Sequence, residues 1–385
     1  MRSVILYAYP PEPDGLSMQG HLLYKGMLEN GEEVMPVNIG AEFQKEWIYK
    51  YFKPDVAIGV GFWNHTPDIV HHTKQFGVDS VPWLVADGWV ANYQKDLSEL
   101  PLVLATSKWV KETYERDGTD VKNFEVAHIG YDPAMRHPIL KSDPQVKTLR
   151  KMLGIKDNEL VILTAGGDVS SKGAQEVFKA LKIIQDELRA KGISWKYVCK
   201  LWGGESADGH WEDEQALIEE LGDDKDRVIY AEGPMSYEFM NVLLNACDIY
   251  AAPSRLEGFG MIQVEAQACG KPVISIDLMG PKETVVHGET GFLAPVAETV
   301  DLSEEWVYKD MGYEEDHKII FDKPKTFAYR ANSNSIAEYL LKLLTDNEFR
   351  NKMGEAAAKH ALENFEYHKT AAHITKLIKE KYKLK

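Results

Sequence analysis

The feature that most constrains this chain is a β-α alternation that runs once through its first half and then starts again. Apolar runs occur at Val4–Ala8, Glu33–Val37, Val56–Val60, Val81–Val85, Leu102–Ala105 and Phe124–Ala127, with helical windows such as Lys108–Asp117 between most of them. Parallel neighbours in a sheet need a crossover long enough to hold a helix, so this rhythm predicts βαβ units. The second run comprises Leu160–Ala165, Lys196–Leu201, Val228–Tyr230, Ile249–Ala252 and Pro272–Ile276. After its first strand, Val177, Ala180, Leu181, Ile184 and Leu188 fall on one stripe of a helix expected over 174–191. A chain of 385 residues exceeds one ordinary core, so two α/β domains are expected. The first is placed at 1–140, a linker at 141–158 and the second at 159–364, with a last helix over 365–385. The segment 295–334 breaks the rhythm. It is acidic at first (Glu298, Asp301, Glu304, Glu305), then aromatic and basic (Phe321, Lys325, Phe327, Arg330). It holds too many apolar side chains for a linker and reads as an ordered insertion in the second domain.

Composition removes several function classes. The formal net charge is -16, which disfavours wrapping a nucleic-acid backbone. The five lysines between Lys376 and Lys385 read as a solvated helix face rather than a membrane tether. No apolar run is long enough to span a bilayer, and the first one is too short for a secretory signal. Cys199, Cys247 and Cys269 are scattered without metal-type spacing, as expected of reduced, buried thiols in a cytoplasmic protein.

The densest chemistry lies in Pro253-Ser254-Arg255-Leu256-Glu257-Gly258-Phe259-Gly260-Met261, followed by Glu265. A strand ends here in a glycine-containing loop that opens a helix. Such a loop lets backbone amides approach an anion, and the helix N-terminus adds a favourable dipole. Glu257 stands in the loop and Glu265 inside the helix, where a carboxylate can accept two hydrogen bonds from a vicinal diol. The segment can therefore hold a phosphate, a ribose and a sugar hydroxyl. Without further signals, a strand, a turn and a helix with surface acids would read the same way.

This segment resembles the Glu-x7-Glu motif of the group 1, family-4-like retaining glycosyltransferases of the GT-B fold. Ala268-Cys269-Gly270-Lys271-Pro272-Val273-Ile274 is similar to that family's A-x-G-x-P-V-I strand, and Gly288-Glu289-Thr290-Gly291-Phe292-Leu293 to its G-x-T-G-x-L. Weaker similarities run from Gly31-Glu32-Glu33-Val34 through Ala105-Thr106-Ser107 and Ile129-Gly130-Tyr131-Asp132 to Lys342–Gly354. The resemblance implies two Rossmann-like doubly wound domains facing across a cleft, with the last helix crossing back to the first domain. It implies a nucleotide sugar as co-substrate, no resident cofactor, no metal, and a sugar, polyol or other hydroxyl as acceptor. It places Gly15, Gly166, Lys172, Arg255, Glu257, Gly258, Phe259, Gly260, Met261 and Glu265 at the donor. Glu257 and Lys172 are expected at the chemistry itself, and an oligomer is compatible with all of this.

The chain departs from the family's pattern in three places. Gly166-Gly167-Asp168-Val169-Ser170-Ser171-Lys172-Gly173 keeps the lysine of G-R-L-x-x-x-K-G, but Gly167 stands where an arginine is usual; Arg255 or a metal are the compensations that come into question. Ala86-Asp87 occupies the place of a histidine that faces the donor sugar in many relatives. Asp87 either serves the acceptor hydroxyl and the developing charge or caps the next helix. The first loop reads Asp14-Gly15 rather than Gly-Gly. On the acceptor side, Trp63, Asn64, His65 and Trp89 follow strands, and an aromatic face beside amide groups suits a sugar or polyol ring; packing is the competing role for the tryptophans. A sugar-nucleotide epimerase, a phosphorylase and a non-catalytic nucleotide-sugar-binding protein are the alternative readings. A dinucleotide oxidoreductase is disfavoured, because the first strand leads into Tyr9-Pro10-Pro11 rather than a Gly-x-Gly-x-x-Gly turn.

Overall fold

The computed structural model describes residues 1–86, 88–203 and 210–384. It contains two six-stranded sheets, all of whose neighbouring strands are parallel, and a separate two-stranded ribbon. The first sheet has the order β2-β1-β3-β4-β5-β6, from β1 (Arg2–Tyr7), β2 (Glu33–Asn38), β3 (Val56–Gly61), β4 (Asp79–Leu84), β5 (Val103–Ala105) and β6 (Phe124–Val126). The second has the order β12-β11-β10-β7-β8-β9. Its strands are β7 (Leu160–Ala165), β8 (Trp195–Leu201), β9 (Val228–Glu232), β10 (Ile249–Ala251), β11 (Val273–Ile276) and β12 (Gly291–Ala294). Each strand expected from an apolar run is present. The runs are nearly continuous because parallel strands are covered on both faces. Val161, Ile162, Leu163 and Ala165 of β7 are all buried, as are Val4, Ile5 and Leu6 of β1.

The chain forms two compact units. One takes in Met1–Asp132, Asp301–Phe327 and Phe365–Lys385; the other takes in Pro133–Val300 and Ala328–Asn364. The boundary expected at 140 therefore falls between Asp132 and Pro133. The expected linker at 141–158 is not a connector: Pro144–Met152 is a helix capped by Asp143, and its Val146 and Leu149 enter the core of the second unit. The ribbon, β13 (Val296–Val307) and β14 (His317–Ala331), is the element behind the expected insertion at 295–334. Residues 301–327 of it group with the first unit, not the second. The last helix, Tyr367–Tyr382, also belongs to the first unit. There it packs on the helix Gly15–Glu29, where Gly26 leaves no room for a side chain beside Ala371 and Tyr367.

Among the described residues, no helix is long and apolar enough to cross a membrane. The three cysteines are unpaired and buried, and burial pushes the thiols of Cys247 and Cys269 up to about 12.

Candidate functional site

In the second unit the chain leaves β7 towards β8 and β9, then returns to place β10 on the other side of β7. Loops leaving the C-terminal ends of β7 and β10 therefore part in opposite directions, and such a switch point opens a crevice. The loop after β7 is Gly166–Gly173, and the loop after β10 is Ala252–Gly260.

The two loops are bonded to each other. The Arg255 amide donates to the Ser171 carbonyl at 2.8 Å, and Gly173, at φ +83°, lies against Pro253 where any side chain would collide. Asp168 folds the first loop by accepting the Ser170 amide at 2.9 Å and the Ser171 amide at 3.3 Å. Lys172 Nζ reaches across to Glu257 Oε2 at 2.7 Å, both side chains being mostly buried. Its stem passes over Gly166, where a Cβ would come within 2.7 Å of Lys172 Cγ. Gly166 is thus a glycine because the lysine crosses it.

Glu257 Oε1 accepts the Gly260 amide at 3.0 Å, so one carboxylate joins the lysine to the first turn of the helix Met261–Ala268. Gly260 caps that helix at φ +98°, a conformation that favours glycine. The loop is held from behind by Met279 and Gly280, two residues the sequence reading missed. The Gly280 amide donates to the Glu257 carbonyl at 3.1 Å, and Gly280 packs so closely on Gly258 and Phe259 that a Cβ does not fit. Gln263 fastens the helix to the sheet through the Ala252 carbonyl at 3.0 Å and Ser275 Oγ at 2.9 Å.

Glu265 lies on the same helix, buried, with Arg136 Nε 3.1 Å from its Oε2. Arg136 is almost wholly enclosed, its guanidinium 3.6 Å from the centre of the Tyr237 ring. It comes from Pro133–Pro138, inside the range 1–140 assigned from sequence to the first domain, and no local pattern marks it. Arg255 takes a different course from the other donor-side residues. Its side chain turns to Gln175 Oε1 at 2.6 Å and towards Glu176 at 3.6 Å, on the helix Ala174–Ala190. Glu176 also pairs with Arg330 at 2.8 Å.

In the first unit the sheet order reverses between β1 and β3; Gly15 follows β1, Trp63, Asn64 and His65 follow β3, and Trp89 follows β4. Gly15 opens the helix Gly15–Glu29, whose N-cap Asp14 accepts the Ser17 amide at 2.9 Å. After β3, Trp63 is buried and its indole donates to the Trp89 carbonyl at 3.0 Å. His65 Nδ1 accepts the Phe62 amide at 3.1 Å, and burial holds its pKa below the usual histidine value. Asn64 Oδ1 is buried without a hydrogen-bond partner, a cost that a ligand donor would remove. Trp89 packs edge-on against Phe321 of β14, with centroids 5.0 Å apart, and Lys325 lies over its ring at 5.6 Å. Asp87, the residue read as facing the chemistry, lies outside the described residues. Among the described residues no three His, Cys, Asp or Glu side chains converge in a group that would hold a metal ion.

Residues 145–325 match the family model described as glycosyl transferases group 1. The curated D-inositol 3-phosphate glycosyltransferase of Corynebacterium glutamicum is 26% identical over 81% of this chain and 72% of its own length. The Corynebacterium jeikeium protein of the same name is 30% identical over 62% of this chain and 48% of its own. Several further relatives are matched over about half of their length. Among solved structures, sucrose-phosphate synthase of Thermosynechococcus elongatus superposes with a TM-score of 0.75 at 15% identity, covering 100% of both chains. The Anabaena protein HepE, in complex with UDP and glucose, gives 0.71 at 17% identity, covering 99% of this chain and 100% of its own. At such identities the structural likeness speaks for the fold, which is that of the GT-B glycosyltransferases.

Proposed function

We propose, from the match of residues 145–325 to the group 1 glycosyl transferases and from the GT-B fold, that this chain moves a hexose from a nucleotide-diphosphate sugar to an acceptor hydroxyl with retention at the anomeric carbon. The observation that carries the reading is the convergence of Lys172, Glu257 and the Gly260 amide at the β7/β10 switch point. An ammonium and a helix N-terminus in one crevice form a site for a polyanion, and they stabilise charge that grows on a leaving diphosphate. Without ligand, Glu257 satisfies both groups. With a donor bound, the diphosphate takes over the lysine and the helix amides, and Glu257 accepts hydroxyls of the transferred sugar.

Glu265, fixed by Arg136, accepts the two ribose hydroxyls. As the bond from the anomeric carbon to the leaving phosphate oxygen breaks, the acceptor oxygen bonds to the same face. Its proton passes to the diphosphate oxygen that has just left. Lys172 holds that oxygen where it can receive the proton. Asp87, Trp63, Asn64, His65 and Trp89 are the groups assigned to the acceptor. The curated relatives are named for an inositol phosphate acceptor, which supports a polyol or sugar here.

Hydrolysis and transfer across a panel of UDP, GDP and ADP hexoses, with product anomers read by NMR, tests the reading. Release of nucleoside diphosphate with an axial donor giving an axial product is expected. An inverted product, or an epimerised donor with no glycoside formed, would overturn it.

A further inference from the structure

We propose that Lys200 is a second phosphate-binding cation of this site, acting beside Lys172 on the diphosphate of the donor; the inference rests on the donor reading above. Lys200 is the penultimate residue of β8, paired in register with Ala165 at the end of β7. A lysine at the end of an interior strand in a parallel sheet is an unusual choice, because such strands are covered on both faces. Only 5% of it is exposed. Its Nζ meets the Gly166 carbonyl at 3.5 Å and lies 5.7 Å from the centre of the Trp202 ring.

Neither contact replaces the water that an ammonium loses on burial. A carbonyl at 3.5 Å is a long hydrogen bond, and a ring contributes only a fraction of what a carboxylate does. Among the described residues no acidic group supports its charge: burial alone acts on it, and lowers its pKa. Buried ammonium groups are ordinarily paired. A buried cation to which the described residues supply no anion is suited either to be neutral or to meet an anion that arrives.

The position decides between these. Lys200 and Lys172 approach the same residue from two directions, Lys200 at the Gly166 carbonyl and Lys172 across its Cα. The Trp202 amide donates to the Gly167 carbonyl at 3.1 Å, and a side chain on Gly167 would meet the Trp202 ring only at an ordinary 3.6 Å. Backbone approach on one side and two lysines on the other suit a group with several anionic oxygens. Arg255, the cation of the second loop, turns its Nη2 to Gln175 and Glu176 instead.

The test compares wild type with Lys200→Met and Lys200→Arg in the full chain. UDP, GDP and ADP and their nucleosides are titrated by calorimetry and by tryptophan fluorescence. For the diphosphate that wild type binds best, Lys200→Met should weaken binding by tenfold or more while the nucleoside is affected less than twofold. Lys200→Arg should recover most of the loss. Equal losses for diphosphate and nucleoside would mean that Lys200 only supports the fold, and an unchanged diphosphate affinity would remove it from the site. If wild type binds none of the three diphosphates, the donor reading falls and Lys200 falls with it.

Discussion

Arg136 and Glu265 are an ion pair that the fold encloses on nearly every side. Removing one member of such a pair leaves a charge without water or counter-charge, which commonly costs about 3–5 kcal/mol. Arg136→Met is therefore expected to lower the melting temperature sharply, and Glu265→Gln to do so less, because the amide still accepts from Arg136. Glu265→Gln also removes the charge that is to hold the ribose. Calorimetry well below the melting transition should show nucleotide affinity reduced by about 1.5–3 kcal/mol, the worth of a charge-assisted contact. Unaltered affinity in a folded Glu265→Gln protein would leave Glu265 as a structural partner of Arg136 and nothing more. Lys200 makes a separate prediction through pH. Its folded-state pKa lies below the ordinary 10.5 because burial disfavours the charged form. Between the folded value and 10.5 the unfolded chain binds more protons, so this residue's contribution to stability rises with pH across that window. At neutral pH the charged, buried form is a burden. Lys200→Met should raise the melting temperature there, and the advantage should shrink as pH approaches 10.5. An advantage that stays constant with pH would mean that the ammonium is not desolvated.

At the scale of elements, the ribbon β13-β14 is fastened to the loop that follows β4. Asp117, its side chain buried, accepts the Val90 amide at 2.9 Å and Lys325 Nζ at 2.7 Å. Arg116 donates to the Gly88 carbonyl, the Tyr313 hydroxyl donates to the Ala91 carbonyl at 2.7 Å, and Asn92 donates to the Met311 carbonyl at 3.1 Å. A loop tethered through its carbonyls and side chains in this way opens rarely, so its amides exchange slowly. A Phe321→Ala, Lys325→Met double substitution should accelerate hydrogen exchange of residues 88–93 by tenfold or more and leave β7 and β10 unchanged. Equal exchange in both proteins would show that the ribbon does not restrain the loop. This attachment was not legible in the sequence. The β13 segment Val-Ala-Glu-Thr-Val-Asp-Leu-Ser-Glu-Glu-Trp-Val is largely exposed and carries no continuous apolar run, so nothing local says which body it joins. The central strands were legible for the opposite reason, since burial on both faces forces continuous Val, Ile and Leu. The loops at the switch point were legible through Gly166, Gly260 and the two carboxylates, which are local in sequence. Arg136, Met279 and Lys200 were not, because each matters through a partner that only the folded chain brings near. Arg255 shows the same limit: its place in the motif put it at the donor, and its side chain turned to the neighbouring helix.

For the whole molecule, a net charge of -16 sets a condition on any anionic substrate. At physiological ionic strength the screening length is about 8 Å, so distant acids count for little and the charges lining the crevice decide binding. The positive potential there comes from Lys172, from the N-terminus of the helix Met261–Ala268 and, by the inference above, from Lys200. All three sit in the second unit, on loops and strand ends of one sheet. Two ammonium groups and a helix terminus approach the charge of a nucleoside diphosphate, and the expected consequence is that its phosphates are held without a bridging metal ion. Turnover of the preferred donor should therefore be the same within twofold in buffer containing excess EDTA, and added magnesium should not raise it. Lys172→Met should lower turnover at saturating donor by a hundredfold or more, since a group that stabilises the departing charge acts mainly in the transition state. The two measurements together are decisive. If EDTA abolishes turnover and magnesium restores it, the potential of the crevice is insufficient by itself, and a cation supplies what Gly167 lacks. If EDTA has no effect and Lys172→Met remains active, the leaving diphosphate is held by other groups. Metal-free turnover that depends on Lys172 is the outcome this charge distribution requires.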